Sequence, residues 1–447
     1  PPLPAELAAS APSARAWLLG VIAAELWLGY AMLRERARWA PGLVEDKDWV
    51  LQHRRGAGRV LDTAKTLGGS LIKAAQFAST RPDLLPRPYI DGLAELQDRL
   101  PPQPWTQIER AIEHELGRPL TEVFAEIDPN PVAAASIAQV HRARLKDGRE
   151  VAVKVQYPDI AALVKADLDA MEQIVGTIGQ LEPDVQLGPI LEYLRWTLPM
   201  ELDFRREADA AAALTAALAD NERARVPAVV DALSTERLLV MDWASGIKIT
   251  DQDGLAAADI DVREVAELLI DVYAEQLFRH GVFHADPHPG NLLVQRGPAG
   301  PVLVLLDHGL TTKIPPALLA SLRASAAALQ NADLQALSAA LKEVGLDLDA
   351  EQDTETLLWM VGLLLGGDRL EAAMGTAAAE GAGGAKDVAR LGRQLGARIA
   401  GIGNDLLLVG RGMGLVDGIS RQLAPELDTL SIVARHAGAP GASVDPG

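Results

Sequence analysis

Apolar residues gather first at 17–33, an almost unbroken run closed by the basic side chains Arg34, Arg36 and Arg38. A bilayer-spanning helix needs about 20 such residues. This run is a little short and carries Glu25 near its middle, which costs about 2.5–3.5 kcal/mol at a bilayer centre. Three fates fit it: a spanning helix, a helix on a membrane or partner surface anchored by Trp17, Trp27 and Tyr30, or a helix buried against the rest of the chain. Residues 56–125 repeat apolar positions at three-and-four spacing, with proline-rich breaks at 86–88 and 101–104, and predict helices. At Pro131 the pattern changes. The runs 136–145 and 150–156 flank Asp147-Gly148, which predicts a β-hairpin. Helical periodicity returns at 159–182 and 187–220, and 226–230 and 237–243 read as strands. From Val262 helix dominates again, apart from short apolar runs at 292–295 and 302–306. Residues 1–13 read as a loose lead-in, 375–385 as a flexible Gly/Ala loop and the chain from Gly438 as a disordered tail. The order is a helical preamble, a small mixed unit, then a mostly helical unit holding a hairpin. That succession predicts an α+β, two-lobed fold of the protein-kinase kind.

Composition narrows the picture. At 447 residues the chain is long enough for two to three domains of about 150 residues each. Apolar residues make up 49% but aromatics only 4%, so the core is filled mainly by Leu, Ala, Val and Ile. The net charge of −19 argues against a nucleic-acid partner, which calls for a basic footprint. The absence of cysteine rules out disulfides, thiolate-bound zinc and thiol catalysis. The chain begins at Pro1 and not at methionine, so some N-terminal sequence, a targeting segment included, is expected to precede it.

The candidate chemistry is phosphoryl transfer. It needs a lysine against the phosphates, oxygen ligands for magnesium and a carboxylate that positions the acceptor. Protein kinases carry these in a fixed order: a strand lysine in V-A-I-K, an H-R-D loop with Asn five residues after the Asp, then D-F-G. This chain has Val151-Ala152-Val153-Lys154, then His284-Ala285-Asp286 with Asn291, then Asp307-His308-Gly309. Each piece alone is common, and order, spacing and strand context together carry the reading. Lys154 is a compact ammonium for the α- and β-phosphates. Asn291 and Asp307 offer the hard oxygens that Mg²⁺ takes in small number, and Asp286 is the acceptor-positioning carboxylate or general base. His284 and His288 read as hydrogen-bonding supports of the loop or, alternatively, as metal ligands.

The segment His284-Ala285-Asp286-Pro287-His288-Pro289-Gly290-Asn291 resembles the catalytic loop of the UbiB (AarF-domain, ADCK) family of atypical kinase-like proteins. Residues 131–143, with Ala133, Ala134, Ala135 and Ser136, resemble the alanine-rich nucleotide loop of that family. Lys73-Ala74-Ala75-Gln76 resembles its KxGQ motif, Glu201-Leu202-Asp203 its ExD motif, and Met241-Asp242-Trp243 with Gly246 its hinge. The resemblance covers about residues 50–345 and implies five parts. These are a lead-in with a membrane-surface helix (1–49), a helical KxGQ extension (50–125), a kinase-like N-lobe (126–245), a C-lobe with the catalytic loop (246–345) and a helical C-terminal extension (346–447). It implies ATP or ADP and Mg²⁺ as cofactors, with the alanine loop, Lys154, Met241 and Trp243 around the nucleotide. It adds Lys73 and Gln76 as active-site groups, and Glu201 or Asp203 as the partner of Lys73 or of Lys154. Two departures stand out: Ala75 replaces the motif's glycine, where a methyl could crowd the nucleotide, and no A-P-E segment follows Gly309. The implied activity is an atypical kinase or ATPase supporting isoprenoid-quinone or prenyl-lipid metabolism, peripheral to a bacterial or organellar membrane. Implied partners are a membrane lipid or quinone precursor and lipid-biosynthetic enzymes. A nucleotide-gated scaffold is the alternative, and an ordinary Ser/Thr protein kinase the least favoured reading.

Overall fold

A computed structural model of the chain describes residues 11–79, 85–93, 96, 102–182, 185, 187–331, 333–346 and 404–438. Two compact units divide it: residues 1–204 with 232–240, and 205–231 with 241–447. The lead-in before residue 11, the loop expected at 375–385 and the tail beyond Gly438 lie outside the described residues.

In the first unit the apolar run becomes α1 (Pro12–Trp39), longer than its apolar stretch. Next come α2 (Asp46–Leu67), α3 (Ser70–Ser79), α4 (Arg87–Leu93), α5 (Trp105–Leu116) and the short α6 (Leu120–Val123). The break between α2 and α3 falls at Gly68 and Gly69, whose φ of +66° and +57° suit glycine. It has no proline and escaped the helical reading of 56–125. Helices α7 (Ile160–Leu181) and α8 (Gly188–Glu201) complete the helical part. Leu61, Leu67, Leu71, Ile72, Ala75, Ala78 and Leu93 pack with Leu19 of α1 and Ala170 of α7 into one buried cluster. The buried pair Arg15–Asp167 crosses it, and Arg15 Nη1 also donates to the Leu67 carbonyl at 2.6 Å.

The fate of α1 is mixed. Arg15, Leu19 and Ile22 are buried, and Glu25 pairs with Arg59 of α2. Trp17, Val21, Leu28 and Met32 nevertheless stay exposed, the first at 55% and the last at 66%. They recur at helical spacing and form one apolar stripe on the solvent side. By length and composition α1 is long and apolar enough to cross a membrane, although it lies near the N-terminus and packs in part on its own unit.

The sheet of this unit holds β1 (Phe124–Ile127), β2 (Ala133–Ala134), β3 (Ala138–Leu145) and β4 (Glu150–Gln156). Past α9 (Phe204–Ala217) and β5 (Ala224–Arg225), which fall mainly in the second unit, β6 (Leu238–Asp242) joins it. The order is β1-β3-β4-β6, with β2 paired to β3. The hairpin register sets Val140 opposite Lys154 and Ala143 opposite Val151, around a turn in which Gly148 takes φ +91°. Val151, Val153 and Val155 are buried on one face, so strand alternation turns Ala152 and Lys154 to the other.

The second unit is mostly helical. It contains β7 (Ile247–Lys248), α10 (Gln252–Ala257) and α11 (Val262–Ala274), which runs into a π-turn, Glu275–His280. Then follow β8 (Val282–His284), β9 (Leu292–Gly297), β10 (Gly300–Leu305), β11 (Thr311–Lys313), α12 (Pro316–Gln330) and α13 (Leu334–Lys342). The described chain closes with α14 (Asn404–Leu423) and α15 (Thr429–Ala437). One sheet has the order β5-β10-β9-β7, and β8 pairs with β11. Val265, Leu269, Val272 and Tyr273 of α11 are fully buried. The strand expected at 226–230 is absent. Only an isolated bridge, Val229 to Met241, forms there, because Pro227 has no N–H to donate to a ladder.

Candidate active site

In the first unit, Lys154 projects from β4 with its ammonium 5.1 Å from the centre of the Phe204 ring, a cation–π contact. Lys73 on α3 pairs with Glu201 at 3.0 Å, with Lys73 one-quarter exposed and Glu201 more deeply buried. Of the pairings left open by the sequence, this one is drawn by the geometry. Gln156, the last residue of β4, donates to the Leu202 carbonyl at 2.7 Å and the Glu236 carbonyl at 3.2 Å. It therefore ties the Glu201–Asp203 turn to the lysine strand. Gln76 donates to the Leu96 carbonyl at 2.8 Å, and its neighbour Phe77 stacks on Tyr193 with centroids 3.6 Å apart.

The alanine loop is a tight hairpin. Ala133 and Ala134 pair with Val140 and Gln139, the Ala135 N–H donates to the Ala138 carbonyl, and Ser136 is buried. Tyr157, just past β4, holds the turn twice: its N–H donates to the Ile137 carbonyl at 2.9 Å and its hydroxyl to the Ala135 carbonyl at 3.0 Å. Burial pushes the Tyr157 hydroxyl up to about 12, so it remains a donor at neutral pH. No motif marks Tyr157. Ala75 does not stand among these groups. Its side chain is buried in the helical cluster with Ile72 and Leu93, which corrects the expectation that its methyl crowds a nucleotide.

In the second unit, His284 is saturated. Its Nε2 faces the carbonyls of Leu306 at 3.1 Å and Asp307 at 2.8 Å, so the proton sits there. Its Nδ1 then accepts from the Tyr273 hydroxyl at 2.8 Å. With both nitrogens used, His284 is a loop support and not a metal ligand. His288 accepts the Gly290 N–H at 3.1 Å and caps the short turn Pro289–Asn291. The Asn291 side chain donates to the Asp286 carbonyl at 3.2 Å, and the Leu306 N–H donates to the Asn291 carbonyl at 2.8 Å. These bonds lace 284–291 to 306–307. Asp307 takes φ +53°, a left-handed conformation that Asp and Asn tolerate better than other side chains. Its carboxylate accepts the Gly309 N–H at 3.3 Å.

Met241 is buried at the end of β6 and Trp243 is partly buried two residues on. Gly246 lies so close to β9 that a Cβ there would meet Leu293 Cβ at 2.8 Å, which explains the glycine at this position. Sequence reasoning missed Arg411 on α14. Its guanidinium donates to Asp286 Oδ1 at 2.9 Å, across a separation of 125 residues that no local pattern signals. Among the described residues no group of three or more His, Asp or Glu could hold a metal ion.

A family model, the ABC1 atypical kinase-like domain, matches residues 95–341, more than half of the chain. AarF domain-containing protein kinase 1 of Xenopus laevis is 38% identical over 260 residues, covering 58% of this chain and 50% of its own length. A protein of Dictyostelium discoideum named "Probable serine/threonine-protein kinase abkB" is 36% identical over 269 residues, 59% of this chain and 40% of its own. The chain thus spans about half or less of the curated relatives it matches. Among solved structures, the complex of Rv3197 with erythromycin from Mycobacterium tuberculosis has TM-score 0.50 and 23% identity, covering 85% of this chain and 98% of that one, a likeness of fold. The α+β architecture, the ordered lysine, Asp–Asn loop and Asp-x-Gly, and the domain match agree, and the chain belongs to the ABC1 (AarF-domain) family of atypical kinase-like proteins.

Proposed function

We propose that this chain is a Mg²⁺-ATP-dependent phosphotransferase or ATPase that serves prenyl-lipid or isoprenoid-quinone metabolism at a membrane surface. The observation that carries the nucleotide part is the laced catalytic loop. Asp286, Asn291 and Asp307 are held by backbone bonds through His284, His288 and Leu306. Such preorganisation is what phosphoryl transfer draws on. The donor set fits magnesium, since Asn291 and Asp307 supply hard oxygens and a Mg²⁺–nucleotide needs few protein ligands. Bound there, the ion would neutralise charge on the phosphates. The family resemblance adds Lys154, the 133–136 turn, Met241 and Trp243 as further nucleotide contacts, Lys154 as the ammonium for the phosphates. Asp286, oriented by Arg411, would position the acceptor hydroxyl or water.

The stretch after Gly309 favours an acceptor other than a docked peptide. It turns at once into β11, which pairs Thr311 with His284, and α12 begins at Pro316. That leaves no long segment on which a peptide could lie. Titration of ATP and ADP by calorimetry is expected to show micromolar binding that weakens at least about tenfold when EDTA removes Mg²⁺. No binding of either nucleotide with Mg²⁺ present would overturn the nucleotide reading.

The exposed stripe Trp17, Val21, Leu28 and Met32 supports the membrane part, because contiguous apolar patches of this kind mark docking surfaces. Deleting α1 would be a poor test, since Arg15 and Leu19 belong to the core. Leu28→Glu with Met32→Glu changes only exposed positions. The double variant is expected to lose most of its co-sedimentation with phospholipid vesicles while keeping its thermal midpoint. Undiminished sedimentation would remove α1 as the docking element.

A further inference from the structure

The first unit contains a cavity of about 600 Å³ lined by α1, α2, α3, α4, α7 and α8. That volume falls among cavities that take small organic ligands, roughly 300–1,000 Å³. The walls are almost wholly apolar: Leu19, Ile22 and Leu26 from α1, Ala78 from α3, and Met171 and Ile174 from α7. Among the described lining residues, polar side chains bonded between elements are gathered in two places, while the Thr63 hydroxyl is spent on the Arg59 carbonyl of its own helix. At one, the Tyr30 hydroxyl lies 2.7 Å from His53 Nδ1 and 3.2 Å from the Tyr89 hydroxyl. At the other, the Glu182 carboxylate is closed off by Arg34 and by the Trp27 indole N–H at 3.0 Å.

Neither place offers a net charge. Burial lowers the pKa of His53 and raises those of Tyr30 and Tyr89, so this cluster is neutral near pH 7. Arg34 and Glu182 cancel one another. Among the described lining residues a charged ligand head would be desolvated with no unpaired opposite charge to receive it. A neutral head bearing a hydroxyl or carbonyl would find the Tyr30–His53–Tyr89 cluster, and the flat aromatic surroundings suit a ring. Tyr89 depends on Gly56 of α2, because any Cβ at that position would collide with its hydroxyl. The sequence thus keeps space for this polar group beside an apolar chamber.

We propose that the cavity binds a neutral single-chain lipid, its hydrocarbon chain along α1 and α7 and its hydroxyl- or carbonyl-bearing ring at Tyr30, His53 and Tyr89. The inference deepens the lipid-linked part of the reading above and names a site for that lipid. Helix α1 serves both ends of the idea, since one side lines the cavity and the opposite side carries the exposed apolar stripe. A ligand dissolved in a bilayer would be held next to the cavity by the same helix.

The test uses the full chain without nucleotide, so failure of the nucleotide reading does not affect it. Three probes are compared by equilibrium dialysis, 4-decylphenol and decylbenzene within their aqueous solubility and decanoate below its micelle concentration. Decylphenol is expected to bind about three- to tenfold tighter than decylbenzene, the worth of a buried hydrogen bond, and decanoate more than about tenfold weaker than decylphenol. Tyr30→Phe should bring decylphenol down to the decylbenzene value and leave decylbenzene unchanged. Ala23→Phe, which fills the chamber from α1, should weaken both about tenfold. Equal affinity for the three probes, no saturable binding of decylphenol within these limits, or a phenol preference that survives Tyr30→Phe would each overturn the proposal. The probe comparison on the unsubstituted chain decides the matter even if a variant fails to fold.

Discussion

Replacing Asp307 with asparagine is expected to lower phosphate release from Mg²⁺-ATP by about 10²–10³-fold, the range for loss of one preorganised electrostatic group. The substitution is chosen for what it leaves alone. Asparagine tolerates the left-handed φ of +53° that most side chains resist. Its amide oxygen can still accept the Gly309 N–H, and the backbone carbonyl still receives His284 Nε2. The negative charge proposed for magnesium is removed while the turn's backbone bonds are kept, so the unfolding midpoint is expected to stay within a few degrees of the parent. Arg411→Ala in the same assay separates ligation from positioning. Arg411 donates to Asp286, so as a positioning residue it is expected to give a smaller loss of about tenfold, with Mg²⁺ dependence unchanged. Turnover in Asp307→Asn equal to that of the parent chain would remove Asp307 from the metal site. Turnover in neither chain, with nucleotide still bound, would favour a nucleotide-gated scaffold.

What could be read in advance follows the range of the interaction. The strand 150–156 was predicted to its terminal residues because alternating valines and an Asp-Gly turn are local signals. The loop 284–291 was legible for the same reason: its residue types and its Asp-to-Asn spacing lie within eight positions. Strands β7, β8 and β11 have only two or three residues, too few for alternation to show. The partner of Lys73 and the environment of Ala75 depend on how α3 packs against α8 and α4, and no local pattern carries that. Arg411 is the sharpest case. It sits on an apolar helix in a segment that read only as a helical extension, yet it touches the carboxylate predicted to hold the acceptor.

The same long-range logic makes Asp167→Ala the most destabilising of the expected changes outside the active site, by about 3–5 kcal/mol in urea unfolding. Arg15 and Asp167 are each about 1% exposed and lie 152 residues apart in sequence, on α1 and α7. The guanidinium meets the carboxylate through Nε at 2.7 Å and through Nη2 at 2.5 Å, while the Ser70 hydroxyl donates to the same carboxylate. Removing the carboxylate leaves a buried cation without its carboxylate partner, and a neutral acceptor such as the Leu67 carbonyl does not balance the charge. The cost is therefore that of an uncompensated charge and not merely of a lost contact. This account makes a second demand. Arg15→Met combined with Asp167→Leu deletes both charges at similar volume, and should recover most of the loss even though it abolishes the pair. If the double variant is as unstable as the single one, the pair contributes net attraction beyond charge balance. If it recovers, the cost in Asp167→Ala is that of the uncompensated Arg15 charge, and α1 docks through its apolar contacts without the pair. In that case vesicle binding and decylphenol binding, which both need α1 in place, should fall in Asp167→Ala and return together in the double variant.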